Sequence, residues 1–197
     1  MILYGGVCMK AIAIINKKII TDDFATFLKP VKISGSLISC GTIDIPMPEF
    51  DENSEDNAES VLVKVDAFSC NYRDKALILK AALRMQNMET TFSKPVSFFG
   101  SDFVGRIIKK GSAVRNLNVD DRVIPNCYYP GGVMPGVVTN EASRGWLRLH
   151  YSKLMRTGSG LKDSEAAGFS IGAQTSHSMI RRTGITQGEK ALVLSGR

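Results

Sequence analysis

Two short β-rich runs facing each other across a polar connection constrain this chain most. DFVGRIIKK (102–110) and DDRVIPN (120–126) flank GSAVRNLNV (111–119), which opens on a glycine. Runs of this length, rich in Val and Ile and parted by a turn-forming stretch, predict antiparallel strands across a tight bend. SVLVKVDAF (60–68) supplies another strand, with Val61, Val63 and Val65 alternating against Leu62, Lys64 and Asp66. WLRLHYSKL (146–154) reads as a further strand with alternating faces, after a Gly- and Pro-rich loop, YYPGGVMPGVVTN (128–140). KISGSLISCGTIDIP (32–46) gives one or two short strands, and the stretch before about Lys32 is poorly patterned. EFDENSEDNAES (49–60) reads as a solvated loop, since its carboxylates lack the fixed Gly and bidentate Glu spacing of a calcium loop.

Helical spacing occurs in two places. NYRDKALILKAAL (71–83) repeats its apolar residues at that spacing, with Asn71 placed as a cap. DSEAAGFSIGAQTSHSMIRRTG (163–184) predicts one long helix of small residues that starts on an Asp or Ser, carries Arg181 and Arg182 in its last turn and stops at Gly184. KALVLSG (190–196) is then a short, fully apolar strand ending on a glycine, which is how a parallel α/β unit begins. The expected architecture is mainly β with flanking helices.

Composition narrows the partners. The chain is 44% hydrophobic and 22% charged, as an ordinary globular protein is. Its net charge of +6 is spread along the chain, with no basic stripe interleaved with aromatics, so no nucleic-acid partner is expected. Cys8, Cys40, Cys70 and Cys127 lie far apart, without a C-x-x-C pair or a neighbouring His. Reduced thiols and a cytoplasmic protein follow as the simplest reading. MILYGGVCMKAIAI lacks a basic leader and no run reaches the length of a membrane span, so no membrane association is expected; Met9 is a second possible start.

Four motifs in order, VLVKVDAFSCNYRD (61–74), GSDFVGRIIKKGSAVRNLNVDDRVIP (100–125), SEAAGFSIGAQTSHSMI (164–180) and GITQGEKALVLSG (184–196), resemble the N-terminal half of the medium-chain dehydrogenase/reductase superfamily. The resemblance implies a GroES-like, partly open β-barrel over 33–160, after an N-terminal segment over 1–32. Residues 161–197 would then be the connecting helix and first strand of a Rossmann nucleotide-binding domain, truncated before its Gly-rich fingerprint. Zinc-dependent members carry a His-Glu pair where this chain has Ser101 and Asp102, and a cysteine where it has Asn71, with Cys70 one residue early. A catalytic zinc needs about three converging protein ligands, so no metal is expected. The spellings NYRD and GSDFVG resemble the zinc-independent branch, which includes quinone oxidoreductases and enoyl reductases using NADPH.

That branch implies reduction of an activated C=C bond, a quinone or another carbonyl in a small-molecule substrate, by a protein that is a homodimer when complete. Asn71 matches the residue near the nicotinamide and ribose, although a helix cap alone would also account for it. Tyr72 is the candidate donor of a proton or hydrogen bond to the reduced substrate, or a structural Tyr. Thr175 matches the threonine whose hydroxyl approaches the nicotinamide ring. Arg73 and Asp74 read as a local ion pair or turn anchor, and His177 as structural or exposed. No G-x-G-x-x-G is present, so these 197 residues alone are expected to bind NADPH weakly or not at all and to show no turnover. The alternative is a non-catalytic GroES-like binding or scaffold module that works through a partner.

Overall fold

The computed structural model describes residues 7–20, 23–87, 95–127 and 136–194. β1 (Cys8–Ile15), β2 (Thr26–Phe27), β3 (Val31–Ile33), β4 (Ser36–Ile38) and β5 (Cys40–Pro46) open the chain. β6 (Ser60–Ser69) leads into α1 (Tyr72–Asn87), and β7 (Val96–Ser97), β8 (Asp102–Lys110) and β9 (Arg122–Pro125) follow. β10 (Trp146–His150), β11 (Leu154–Arg156), α2 (Asp163–Ala166) and α3 (Ser170–Thr183) complete it. The order is the mainly β one expected, with few helices.

Among the described residues, one sheet runs β10-β6-β8-β9-β11 and a second β2-β5-β1-β7, while β3 and β4 form a hairpin of their own. Neither sheet closes on itself, in keeping with the partly open barrel expected. β8 and β9 pair antiparallel, as the sequence predicts, in a register that sets Gly105 opposite Val123. β6 pairs with β8 along nearly its whole length, with register shifts at Leu62/Val63 and Val65/Ala67. Gly105 sits beside the second shift, where a Cβ would collide with the Lys64 carbonyl and a Val63 methyl. The strand needs a glycine there because the β6 backbone lies against it. Val61, Val63, Val65, Phe103, Ile107 and Val123 fill the core between these strands. Trp146 joins the two sheets, its indole N–H donating to the Ile45 carbonyl at 3.2 Å.

Several elements depart from the sequence reading. The segment read as poorly patterned supplies β1, which pairs with β5 from Cys8↔Pro46 to Ile14↔Cys40 and buries Ala11, Ala13, Ile14 and Ile15. Two of its inward residues are alanines, too small to mark a strand by hydrophobicity, and its partner lies far along the chain. The run 32–46 makes parts of three strands, because Ser34 and Gly35 take positive φ and turn β3 into β4. A 3-10 turn over Tyr151–Lys153 divides 146–154 into β10 and β11. The long helix over 163–184 is broken into α2 and α3 at 167–169, and its stop at Gly184 has the expected left-handed geometry, φ 67°. Residues 190–193, expected as strand, have no regular structure, and Leu192 and Leu194 are exposed. A strand needs a partner, and none of the described residues pairs with them. Residues 195–197, and 128–135 of the expected loop, lie outside the described residues.

Candidate functional site

The site forms where β6 hands over to α1, β8 begins and α3 starts. Asn71 precedes the first turn of α1, and its backbone N–H donates to Asp74 Oδ2 at 2.7 Å. This is the reciprocal half of a capping box, in which an acid in the first turn returns to the cap residue. Asp74 is fully buried and also accepts a short hydrogen bond from the Ser101 hydroxyl. The Asn71 side chain does not cap the helix. Its amide nitrogen instead donates to Ser101 Oγ at 3.3 Å, which ties the start of α1 to the residue before β8.

Asp102 links the same corner to α3. Its Oδ1 accepts from its neighbour, the Phe103 N–H, at 3.1 Å, and its Oδ2 from the Ile171 N–H at 2.9 Å. Ile171 lies in the first turn of α3, where backbone N–H groups lack helical partners, so a carboxylate from another element caps the helix. Burial dominates its titration: desolvation pushes the Asp102 carboxyl up to about 6 against the Ile171, Phe103 and Asn71 donors, and the negative charge of Asp74 adds to the rise. The strand therefore starts on a carboxylate because a helix from elsewhere in the chain rests on it.

Around this corner lie three further contacts. The Ser69 hydroxyl donates to the Ala167 carbonyl at 2.9 Å, holding the break between α2 and α3. Gln174 accepts from the Cys127 N–H and donates to the Pro125 carbonyl, both at 2.8 Å, and so fastens α3 to the end of β9. Desolvation, with Asp74 beside it, pushes the Cys70 thiol up to about 11. Beside α3 runs a groove of about 1110 Å³, whose walls include Cys127, Met155, Phe169, Gln174 and Thr175.

The candidates from the sequence are thus divided. Asn71 stands in the polar corner with Ser101 and Asp102. Thr175 is exposed on α3 in the groove, with His177, also exposed, beyond it. Tyr72 is 82% exposed, its ring 5.6 Å from the Lys75 ammonium, and joins neither. Arg73 donates to Asn140 Oδ1 at 2.6 Å instead of pairing with Asp74. Sequence reasoning read Asp74 as an ion-pair partner or turn anchor, and it anchors the first turn of α1; the hydrogen bonds of Ser101 and Gln174 it passed over. The N-x-x-D spacing of Asn71 and Asp74 carried a signal for the first turn; nothing local marked Gln174, whose partners are on another strand.

Residues 57–148 match the family model of the alcohol dehydrogenase GroES-like domain. That stretch is similar to such a domain, and the resemblance to the N-terminal half of the medium-chain dehydrogenase/reductase superfamily holds at the level of fold. Among solved structures it is similar to the quinone oxidoreductase from Coxiella burnetii, with a TM-score of 0.54 and 20% identity over 92% of this chain and 47% of that one. It is similar to Escherichia coli quinone oxidoreductase complexed with NADPH, at 0.53 and 15% over 89% and 41%. The JamJ enoyl reductase in its apo form matches at 0.52 and 19%, over 83% and 45%. The chain spans about half the length of each. No curated protein matches it by sequence.

Proposed function

We propose that this chain is the substrate-side part of an NADPH-dependent oxidoreductase that works without zinc and reduces an activated C=C bond, a quinone or another carbonyl. The observation that carries the reading is the commitment of Ser101 and Asp102, which stand where zinc-dependent relatives of the fold hold their His-Glu pair. The Ser101 hydrogen goes to Asp74, and both Asp102 oxygens accept backbone N–H groups. A zinc site draws on imidazole, thiolate or free carboxylate. The corner offers no imidazole and, in Cys70, a single thiol, short of the three or so converging ligands that a catalytic zinc needs.

Asn71 and Thr175 would meet the nicotinamide end of the cofactor, Asn71 from the barrel and Thr175 from the groove wall. The cofactor, when bound, supplies the hydride. The chain's own residues orient it and the substrate, and a side chain or water must deliver the proton that completes the reduction. Tyr72 is the proposed donor, since it follows Asn71 in the chain and its exposed side chain is not committed to the packed core. In the protein isolated from its source, Tyr72→Phe should lower kcat for NADPH oxidation by about 10²-fold, the usual contribution of a positioned acid. An unchanged kcat would remove Tyr72 from the chemistry.

A further inference from the structure

The hydrogen-bond chain beneath Asn71 fixes which end of its amide faces a ligand. Asp74 Oδ2 receives the Asn71 backbone N–H and the Ser101 hydroxyl. A serine hydroxyl has a single hydrogen. Because the Ser101 hydroxyl donates to Asp74 Oδ2, its hydrogen is spent there, and Ser101 Oγ can meet the Asn71 side chain only as an acceptor. The amide nitrogen must therefore face inward, as it does at 3.3 Å. The Asn71 amide also acts on Asp102 as a donor would, favouring its charged form. The remaining pole, Oδ1, takes no hydrogen bond from any described side chain or backbone group, and Asn71 is only half-buried.

We propose that Ser101 and Asp74 are positioning residues that lock the Asn71 amide with nitrogen inward, so that Asn71 presents an acceptor and selects a ligand group with an O–H or N–H to give. An amide held this way cannot polarise a substrate carbonyl, which would need its N–H. The consequence for the ligand rests on the reading above that Asn71 lines the cofactor cleft, whereas the lock itself stands on the hydrogen-bond chain.

The lock is tested by NMR on the 197-residue protein labelled with ¹⁵N at asparagine, from hydrogen exchange of the Asn71 side-chain amide. In the wild type the hydrogen directed at Ser101 should exchange about tenfold or more slowly than that of an exposed asparagine, the factor that one net hydrogen bond confers. Ser101→Ala should abolish that protection. Asp74→Asn retains an acceptor for both donors and should preserve it. A wild-type amide that exchanges as an exposed one does would overturn the lock without reference to any variant. So would protection that survives Ser101→Ala, the result if Ser101 served only to support Asp74. For the ligand, millimolar nicotinamide, which carries an N–H donor, should shift the Asn71 side-chain resonance and methyl nicotinate, which has none, should not. Equal shifts, or none from either, would overturn the selection of a donor while leaving the exchange result to judge the lock. Failure of the oxidoreductase reading would show separately, as absence of NADPH oxidation by the protein from its source.

Discussion

At Asp102 the cost of burial outweighs the stabilising N–H donors, so its carboxyl keeps a proton up to about pH 6. The unfolded chain releases that proton near pH 4. Between these values the folded state binds more protons than the unfolded one, so the contribution of this residue to stability is fully present below about pH 4 and is lost as pH rises to about 6. The gap of about two units corresponds to about 3 kcal/mol. Asp102→Asn should flatten the dependence of unfolding free energy on pH across this window. It should also cost about 1–3 kcal/mol throughout, because an amide has one oxygen for the two N–H groups of Phe103 and Ile171. Urea unfolding of both proteins at pH 4, 5, 6 and 7 checks this; an unchanged slope would show that Asp102 is not the group responsible. A carboxylate at a strand entrance was visible in the sequence, but its partner is 69 residues away, and no local pattern names a cap from another element.

α3 owes its position to tertiary contacts more than to its own composition. Its described face toward solvent is apolar as well as polar, with Met179 and Ile180 more than half exposed, so burial alone would not fix where it lies. Gln174 supplies part of the anchoring by substituting for a neighbouring strand at the end of β9, giving one hydrogen bond and taking one. Gln174→Ala should therefore destabilise the fold by about 2 kcal/mol, two net hydrogen bonds of ordinary size. Thermal or urea unfolding would measure it, and a loss under a few tenths of a kcal/mol would mean that α3 is held elsewhere. The ends of this helix were readable because Arg181, Arg182 and Gly184 are local signals. Its break at 167–169 was not, since Ser69 fixes it from another element. β1 escaped notice for the same kind of reason: Ala11 and Ala13 are buried by pairing with β5 and by packing, and their side chains are too small to announce it.

Across the whole molecule, the strands β6, β8 and β9 made the fold legible. Their alternation, their turns and Gly105 all favour the same antiparallel core, and agreement between local and global preferences is what lets a sequence specify one architecture. The polar corner was legible in its parts, Asn71, Ser101 and Asp102, but not in its wiring, because a hydrogen-bond chain depends on distances between elements. Among the described residues no helix is long and apolar enough to cross a membrane. The apolar surface on α3 and the exposed Leu192 and Leu194 are the features that the alternative, a partner-binding module, would use. The most direct test of the functional account is NADPH oxidation by the protein isolated from its source, with a quinone and an α,β-unsaturated ketone as acceptors, measured with and without a strong chelator. The account predicts turnover with at least one acceptor at a rate the chelator leaves unchanged. No turnover with either acceptor, or turnover that the chelator abolishes and zinc restores, would contradict it.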